Sequence, residues 1–333
     1  MDKGFTVCVA ENRKSCEPGV RLLLASLASF RPDWPVQLCY PPADAEFKAW
    51  VGTLPQVTLN AFELNDWLGF DIKPAALRTL LHGGWDEVLW MDSDIIVTAD
   101  PAPALARPSA GTVIVAEEAN NDYHSSYDDI RTRKWGLAVG RPLPFALNSC
   151  IVGVTTEHHA LLERWEELLG DAAYRAAQAG PHTERPIHML GDQEVLTALL
   201  ASTDFGHLPL HILRQGRDVL QYLGTTGYTT RERLRDLRRG LPPFVHSQGY
   251  KAWWPLEASD EGYERYLNLY KAVTPYRIAA RRHADALQQT DWLRFPGFGP
   301  RLVGLLGFGN PSLTGLPLAM LVDAVRLVRR RRP

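Results

Sequence analysis

Residues 87–97 read EVLWMDSDIIV. Glu87–Met91 is an apolar run of strand length that leads directly into Asp92, Ser93 and Asp94. The pattern before it predicts alternation. Phe5–Ala10, Val36–Cys39 and Val57–Leu59 are short and apolar, whereas Glu17–Phe30, Ala43–Val51 and Pro74–His82 carry apolar residues at helical spacing. Pro18 and Pro74 lie in predicted first turns, and Gly83 and Gly84 stop the third helix. Helices between short buried strands predict an α/β fold with a mostly parallel central sheet. Such sheets bind ligands beyond the carboxyl ends of their strands, which is where the two aspartates fall.

Beyond the aspartates, Thr112–Ala116 and Ala146–Val154 read as strands, and Leu161–Leu169 and Asp192–Leu200 as helices. Asp204–Leu213 and Pro243–His246 read as extended. The stretch 120–140 is polar and aromatic without periodicity, which predicts a long loop, either a lid or binding loop or, equally, a disordered insertion. Its Tyr123, His124, Tyr127, Asp128, Asp129 and Trp135 are chemically suited to carbohydrate.

The 333 residues are 45% hydrophobic and 22% charged, with a net charge of −2, which excludes disordered and fibrous classes. Ten Arg against three Asp give residues 276–333 a charge of +7, leaving −9 for residues 1–275. Positive charge confined to one end does not suit a nucleic-acid binder, which spreads it along a face. Leu302–Val322 is uncharged and long enough for a membrane span, but six glycine and proline positions from Gly304 to Pro317 interrupt it. Leu318, Leu321, Val322, Val325 and Val328 share a helical face, and Arg326 and Arg329–Arg332 add charge. This predicts a helix on an anionic membrane surface. A packed terminal helix with a solvated arginine tail is the plainer alternative. Cys8, Cys16, Cys39 and Cys150 form no CxxC pair and are expected to be reduced packing thiols. Met1–Val7 lacks a basic segment followed by an apolar core, so a cytoplasmic site of action is expected.

Two carboxylates one residue apart can present oxygens to a hard divalent cation. Alone, DSD is more often a capped strand end or turn than a metal site, and residues 244–254, FVHSQGYKAWW, strengthen the metal reading. His246 offers an imidazole, Gly249 permits close backbone approach to phosphate, and Lys251 offers an ammonium. With LNSCIVGV at 147–154 and GDQEVL at 191–196, these motifs resemble glycosyltransferase family 8 in family order. The resemblance spans residues 5–254 and includes bacterial lipopolysaccharide glucosyl- and galactosyltransferases and glycogenin.

The resemblance implies a GT-A fold, a UDP-sugar donor, manganese with magnesium as a substitute, and hexose transfer with retention. It implies a glycan or lipid-linked acceptor such as lipopolysaccharide core, and no nucleic acid. On this sequence it implies Asp92, Asp94 and His246 as metal ligands and Lys251 on the donor diphosphate. Ala10, Glu11 and Asn12 would receive uridine; Lys73, with Arg78 the weaker candidate, would reach the nucleotide or phosphate. Ser93 and Gly249 would line the donor site, Asn148 and Asp192 would hold sugar hydroxyls, and Gln193 would lie nearest the anomeric carbon. Asp192 is also the one carboxylate to test as a nucleophile, although it equally suits a helix N-cap.

Cys150, Glu194 and Ala252 depart from the common family residues. Trp253 and Trp254 are expected to brace the core or loop. The implied division is a catalytic domain over 1–275 and a basic, amphipathic tail over 276–333. Two alternatives remain. A haloacid-dehalogenase-like phosphatase would use Asp92 as nucleophile and Asp94 as acid, but three strands precede the DSD and Leu196 stands where a second carboxylate would be needed. A catalytically silent sugar-nucleotide-binding protein is the other.

Overall fold

The computed structural model describes residues 3–62, 64, 69–118, 129–221, 228–249, 251–254, 274–294, 301–302, 307 and 310–330. Its strands are β1 Phe5–Ala10, β2 Val36–Cys39, β3 Val57–Leu59, β4 Glu87–Met91, β5 Ile95–Val97, β6 Val113–Glu117, β7 Leu147–Thr155, β8 Leu210–Leu213, β9 Val219–Gln221 and β10 Phe244–His246. Its helices include α1 Glu17–Phe30, α2 Ala45–Val51, α3 Lys73–His82, α4 His159–Leu169, α5 Asp192–Ala201, α6 Thr230–Arg239 and α7 Leu316–Arg330. The chain divides into two compact units. The first is Met1–Lys14, Pro32–Asp92 and Leu105–Arg214; the second is Ser15–Arg31, Ser93–Ala104 and Gln215–Pro333.

The first unit holds a seven-stranded sheet in the order β3-β2-β1-β4-β7-β6-β8. Pairings β1–β2, β2–β3, β1–β4 and β6–β8 are parallel, and β7 runs antiparallel to both β4 and β6. The interiors of the central strands are buried: Val7, Cys8, Leu89 and Val154 expose no surface. That explains their near-continuous apolar composition, since sheets covered on both faces show no polar alternation. Around the sheet, Leu77 and Leu80 of α3, Leu161 and Trp165 of α4, and Val195 and Leu199 of α5 pack against Trp90 and Val152. Each fully buried side chain of this kind stabilises by about 1.5–3 kcal/mol. Asp44 caps α2 by accepting the Phe47 N–H at 2.9 Å.

The second unit has a three-stranded sheet, β5-β10-β9, with β5–β10 antiparallel and β10–β9 parallel. Helix α1 packs on it through Leu22, beside Ile96, Leu220, Val245 and Tyr276. The Val97 N–H donates to Ser26 Oγ at 3.0 Å. A Cβ at Gly19 would lie 2.7 Å from the Ser93 carbonyl oxygen and 2.6 Å from the Trp253 ring, so this close approach requires glycine. Trp253 donates its indole N–H to the Ser15 carbonyl at 2.8 Å, which matches the expected bracing role. All four cysteines are free and buried.

Several expectations need correction. Only Leu210–Leu213 of the stretch 204–213 is strand, because the preceding turn is closed by the Gly206 N–H on the Ser202 carbonyl at 2.7 Å. The expected long loop is not continuous irregular structure: Ile130–Lys134 is a short helix with Arg131 and Thr132 buried. Tyr123, His124, Tyr127 and Asp128 lie outside the described residues. On α7, Leu321 and Val325 are exposed as expected, but Leu318 and Val322 are half-buried; the exposed face carries Met320 and Leu327 instead. Among the described residues, no helix is long and apolar enough to cross a membrane.

Candidate active site

In the first unit, the ends of β4, β6 and β7 and the first residues of α3 and α5 converge on a buried polar cluster. Lys73 opens α3, and its Nζ lies 3.1 Å from Asp92 Oδ1 and 3.2 Å from Asp192 Oδ2. It also donates to Ser149 Oγ at 2.8 Å and to the Ser149 carbonyl at 3.1 Å. Ser149 in turn donates its hydroxyl to Asp192 Oδ2 at 2.6 Å. The Trp90 indole N–H meets Asp92 Oδ1 at 2.7 Å. Burial alone pushes the Lys73 ammonium down, but Asp192 and Asp92 overcome it and hold the group above its ordinary value. Burial pushes Asp192 up, against the pull of Lys73 and the Ser149 hydrogen bond.

Beside this cluster, Glu118 Oε2 accepts Asn148 Nδ2 at 2.7 Å and Gln193 Nε2 at 2.9 Å. Asn148 Oδ1 is occupied by the Cys150 N–H at 2.8 Å. The neighbouring Glu194 is pushed up to about 8 by burial, with Arg131 opposing and Glu118 adding to the rise. Asp71 is raised to about 7 by burial and by Asp192, although Tyr174 donates its hydroxyl to it at 2.8 Å. The cap of α5 is Gly191, and Asp192 is the first residue inside the helix, so the N-cap alternative for Asp192 does not hold.

In the second unit, the antiparallel register pairs His246 with Ile95 and so sets the imidazole beside Asp94. His246 Nε2 is 3.3 Å from Asp94 Oδ1, and Lys251 forms an ion pair with Asp94 Oδ2. Lys251 also donates to the Ser247 carbonyl at 3.2 Å, and the Ser247 N–H donates to the Asp94 carbonyl at 3.0 Å. Burial favours the neutral acid, but Lys251 and His246 together hold Asp94 well below the usual carboxylate range. Gly249, between His246 and Lys251, has φ of +78°, a backbone conformation that glycine adopts without cost. Ser93 is buried.

Arg78 pairs with Glu166 and Glu163 on α4. Glu11 is buried and held by Arg13 at 2.8 Å; Ala10 pairs with Cys39 at the end of β1, and Asn12 is exposed. The sequence reading missed Glu118, Ser149, Asp71 and Arg131. Glu118 had a usable signal, since it ends an apolar strand as Asp92 does.

No family model and no curated protein matches the chain in sequence. Solved structures do match. The galactosyltransferase LgtC, determined with donor and acceptor sugar analogues, aligns with a TM-score of 0.51 and 14% identity over 85% of this chain and 96% of that one. The chain has the GT-A fold. The bifunctional glycosyltransferase WbbM, in its apo form, aligns with a TM-score of 0.49 and 14% identity over 85% of this chain and 52% of that one. Mouse xyloside xylosyltransferase 1, also apo, aligns at 0.47 and 13% over 76% and 99% respectively. Within the GT-A fold, DSD follows β4, NS opens β7 and DQ opens α5.

Proposed function

We propose that the chain is a family 8-like, metal-dependent retaining glycosyltransferase that moves a hexose from a UDP-sugar to a glycan or lipid-linked acceptor, such as lipopolysaccharide core. The observation that carries this reading is the 3.3 Å approach of His246 to Asp94. It joins two motifs about 150 residues apart in sequence, with Lys251 on the same carboxylate.

The donor chemistry suits a divalent cation. Asp92 and Asp94, one residue apart, supply oxygens and His246 supplies a nitrogen, a mixed set that suits Mn2+ better than Mg2+, which prefers oxygen alone. When bound there, the cation supplies positive charge to a departing diphosphate. Lys251 contacts the same diphosphate, and Gly249 lets the backbone approach it. Asn148 and Asp192 hold donor-sugar hydroxyls, Gln193 lies nearest the anomeric carbon, and Ala10, Glu11 and Asn12 receive uridine. Lys73 acts from behind these residues: its ammonium keeps Asp92 and Asp192 fixed in a dry site, where preorganised charge is most effective. Because Lys73 already holds Asp192, the geometry favours a positioning role for that carboxylate over attack on the sugar. Retention then proceeds by same-face displacement, with the leaving phosphate taking the acceptor proton.

Residues 276–333 serve as a basic tail that holds the enzyme peripherally on the cytoplasmic membrane face, where a lipid-linked acceptor is met. A screen of UDP-sugars with Mn2+ for UDP release, with and without saccharide acceptors, tests the assignment. DSD-dependent release of phosphate from a phosphomonoester, with no sugar acceptor present, would contradict it.

A further inference from the structure

The six exposed large hydrophobic side chains among the described residues all belong to the second unit: Leu234, Leu302, Met320, Leu321, Val325 and Leu327. Five of them lie on α6 and α7. These two helices are in contact, with the Thr230 N–H donating to Asp323 Oδ2 at 2.8 Å. Helix α6 is anchored from its other side. Arg233 donates to the Pro311 carbonyl at 3.0 Å, and Asp236 accepts the Tyr228 hydroxyl at 3.0 Å.

At 100° per residue, this anchoring turns Arg231, Leu234, Arg235, Arg238 and Arg239 onto the opposite face of α6. Arg235 is paired with Asp236. Among the described residues, none pairs with Arg231, Arg238 or Arg239. Leu234, Arg238 and Arg239 line one recess and Arg231 and Arg239 an adjoining one, each about 510 Å³. On α7, the same periodicity gathers Met320, Leu321, Val325 and Leu327 on one side, and the sequence continues into Arg329–Arg332. A monomer rarely leaves apolar side chains clustered beside uncompensated charge unless something covers them.

We propose that α6 and α7 form a single docking surface for an anionic phospholipid bilayer. The α6 arginines take lipid phosphates, and α7 inserts Met320, Leu321, Val325 and Leu327 among the acyl chains. This rests on the membrane role assigned to the tail and extends it to a helix about 80 residues earlier, inside the folded unit. Charge decides the occupant. A second copy of the chain would bring the same arginines and repel, whereas an anionic bilayer offers both opposite charge and an apolar layer.

The test is co-sedimentation of the full chain with phosphatidylcholine vesicles, with and without phosphatidylglycerol. The wild type is expected to bind the anionic vesicles and to leave the neutral ones largely unbound. Each basic residue near the surface contributes roughly fivefold, so Arg231→Ala/Arg238→Ala/Arg239→Ala should weaken binding by about 100-fold. The helix content of this variant should not change, because the three side chains are exposed and have no partner among the described residues. If the triple variant binds like wild type while Arg329→Ala/Arg330→Ala/Arg331→Ala/Arg332→Ala loses binding, the role of α6 is overturned and the tail role stands. If the wild type binds no vesicle and sediments as a dimer, both are overturned.

Discussion

Gln193 donates its side-chain amide to Glu118 Oε2 at 2.9 Å, the same oxygen that accepts Asn148 Nδ2 at 2.7 Å. A carboxylate oxygen only accepts, so this contact decides which end of each carboxamide faces it. The Gln193 Oε1 atom is thereby turned away from Glu118. One carboxylate thus sets two residues assigned to the donor sugar.

Removing that carboxylate should disorder both amides without touching the residues assigned to uridine. Glu118→Ala is expected to lower kcat for the UDP-sugar by about 100-fold, the scale of a small misplacement of a positioned group. Calorimetry should find UDP affinity unchanged. An equal loss of UDP binding would show a general structural effect instead.

Lys73 neutralises two acids in a buried site, so its loss strands charge. Breaking a buried pair on one side costs about 3–5 kcal/mol, and Lys73→Met should lower the urea midpoint accordingly. Lys73→Met/Asp192→Asn should recover part of that loss, because one stranded carboxylate is gone.

Stability should fall as pH rises from about 4 to 8. Glu194, raised to about 8, and Asp71, raised to about 7, stay protonated in the fold where the unfolded chain has released the proton. A raised carboxyl contributes stability that is present below the unfolded value and lost as pH passes the folded one. Urea midpoints across this range should decline for wild type and decline less for Glu194→Gln. A midpoint that rises with pH would contradict the assignment.

Gly249→Ala forces a Cβ onto a backbone at φ of +78°, at a cost of about 1–2 kcal/mol. The strain falls between His246 and Lys251. KM for the UDP-sugar should rise several-fold with kcat largely kept, as initial-rate measurements would show.

Strands β1 to β4, helix α1 and the DSD were legible from local patterning alone, because buried strands and amphipathic helices leave regular signatures. His246 and Asp94 were legible as a pair only through motif order. Other features depended on long-range pairing. Ile95–Val97, directly after the DSD, is not among the strands read from the sequence, yet it pairs with β10 in the three-stranded sheet. Glu118, Ser149 and Arg131 look like ordinary polar residues, and only packing against α5 and β7 gives them roles. Arg78 looked available to the site because it lies on the same helix as Lys73, but the acids of α4 claim it.

The central claim is that Asp94 and His246 hold a cation that serves a UDP-sugar. It is tested most directly by Mn2+-dependent UDP release measured in parallel for wild type and Asp94→Asn. Wild type is expected to release UDP from at least one UDP-hexose, with release abolished by chelation and reduced by about 100-fold or more in Asp94→Asn. Undiminished Mn2+-dependent release by Asp94→Asn would contradict it.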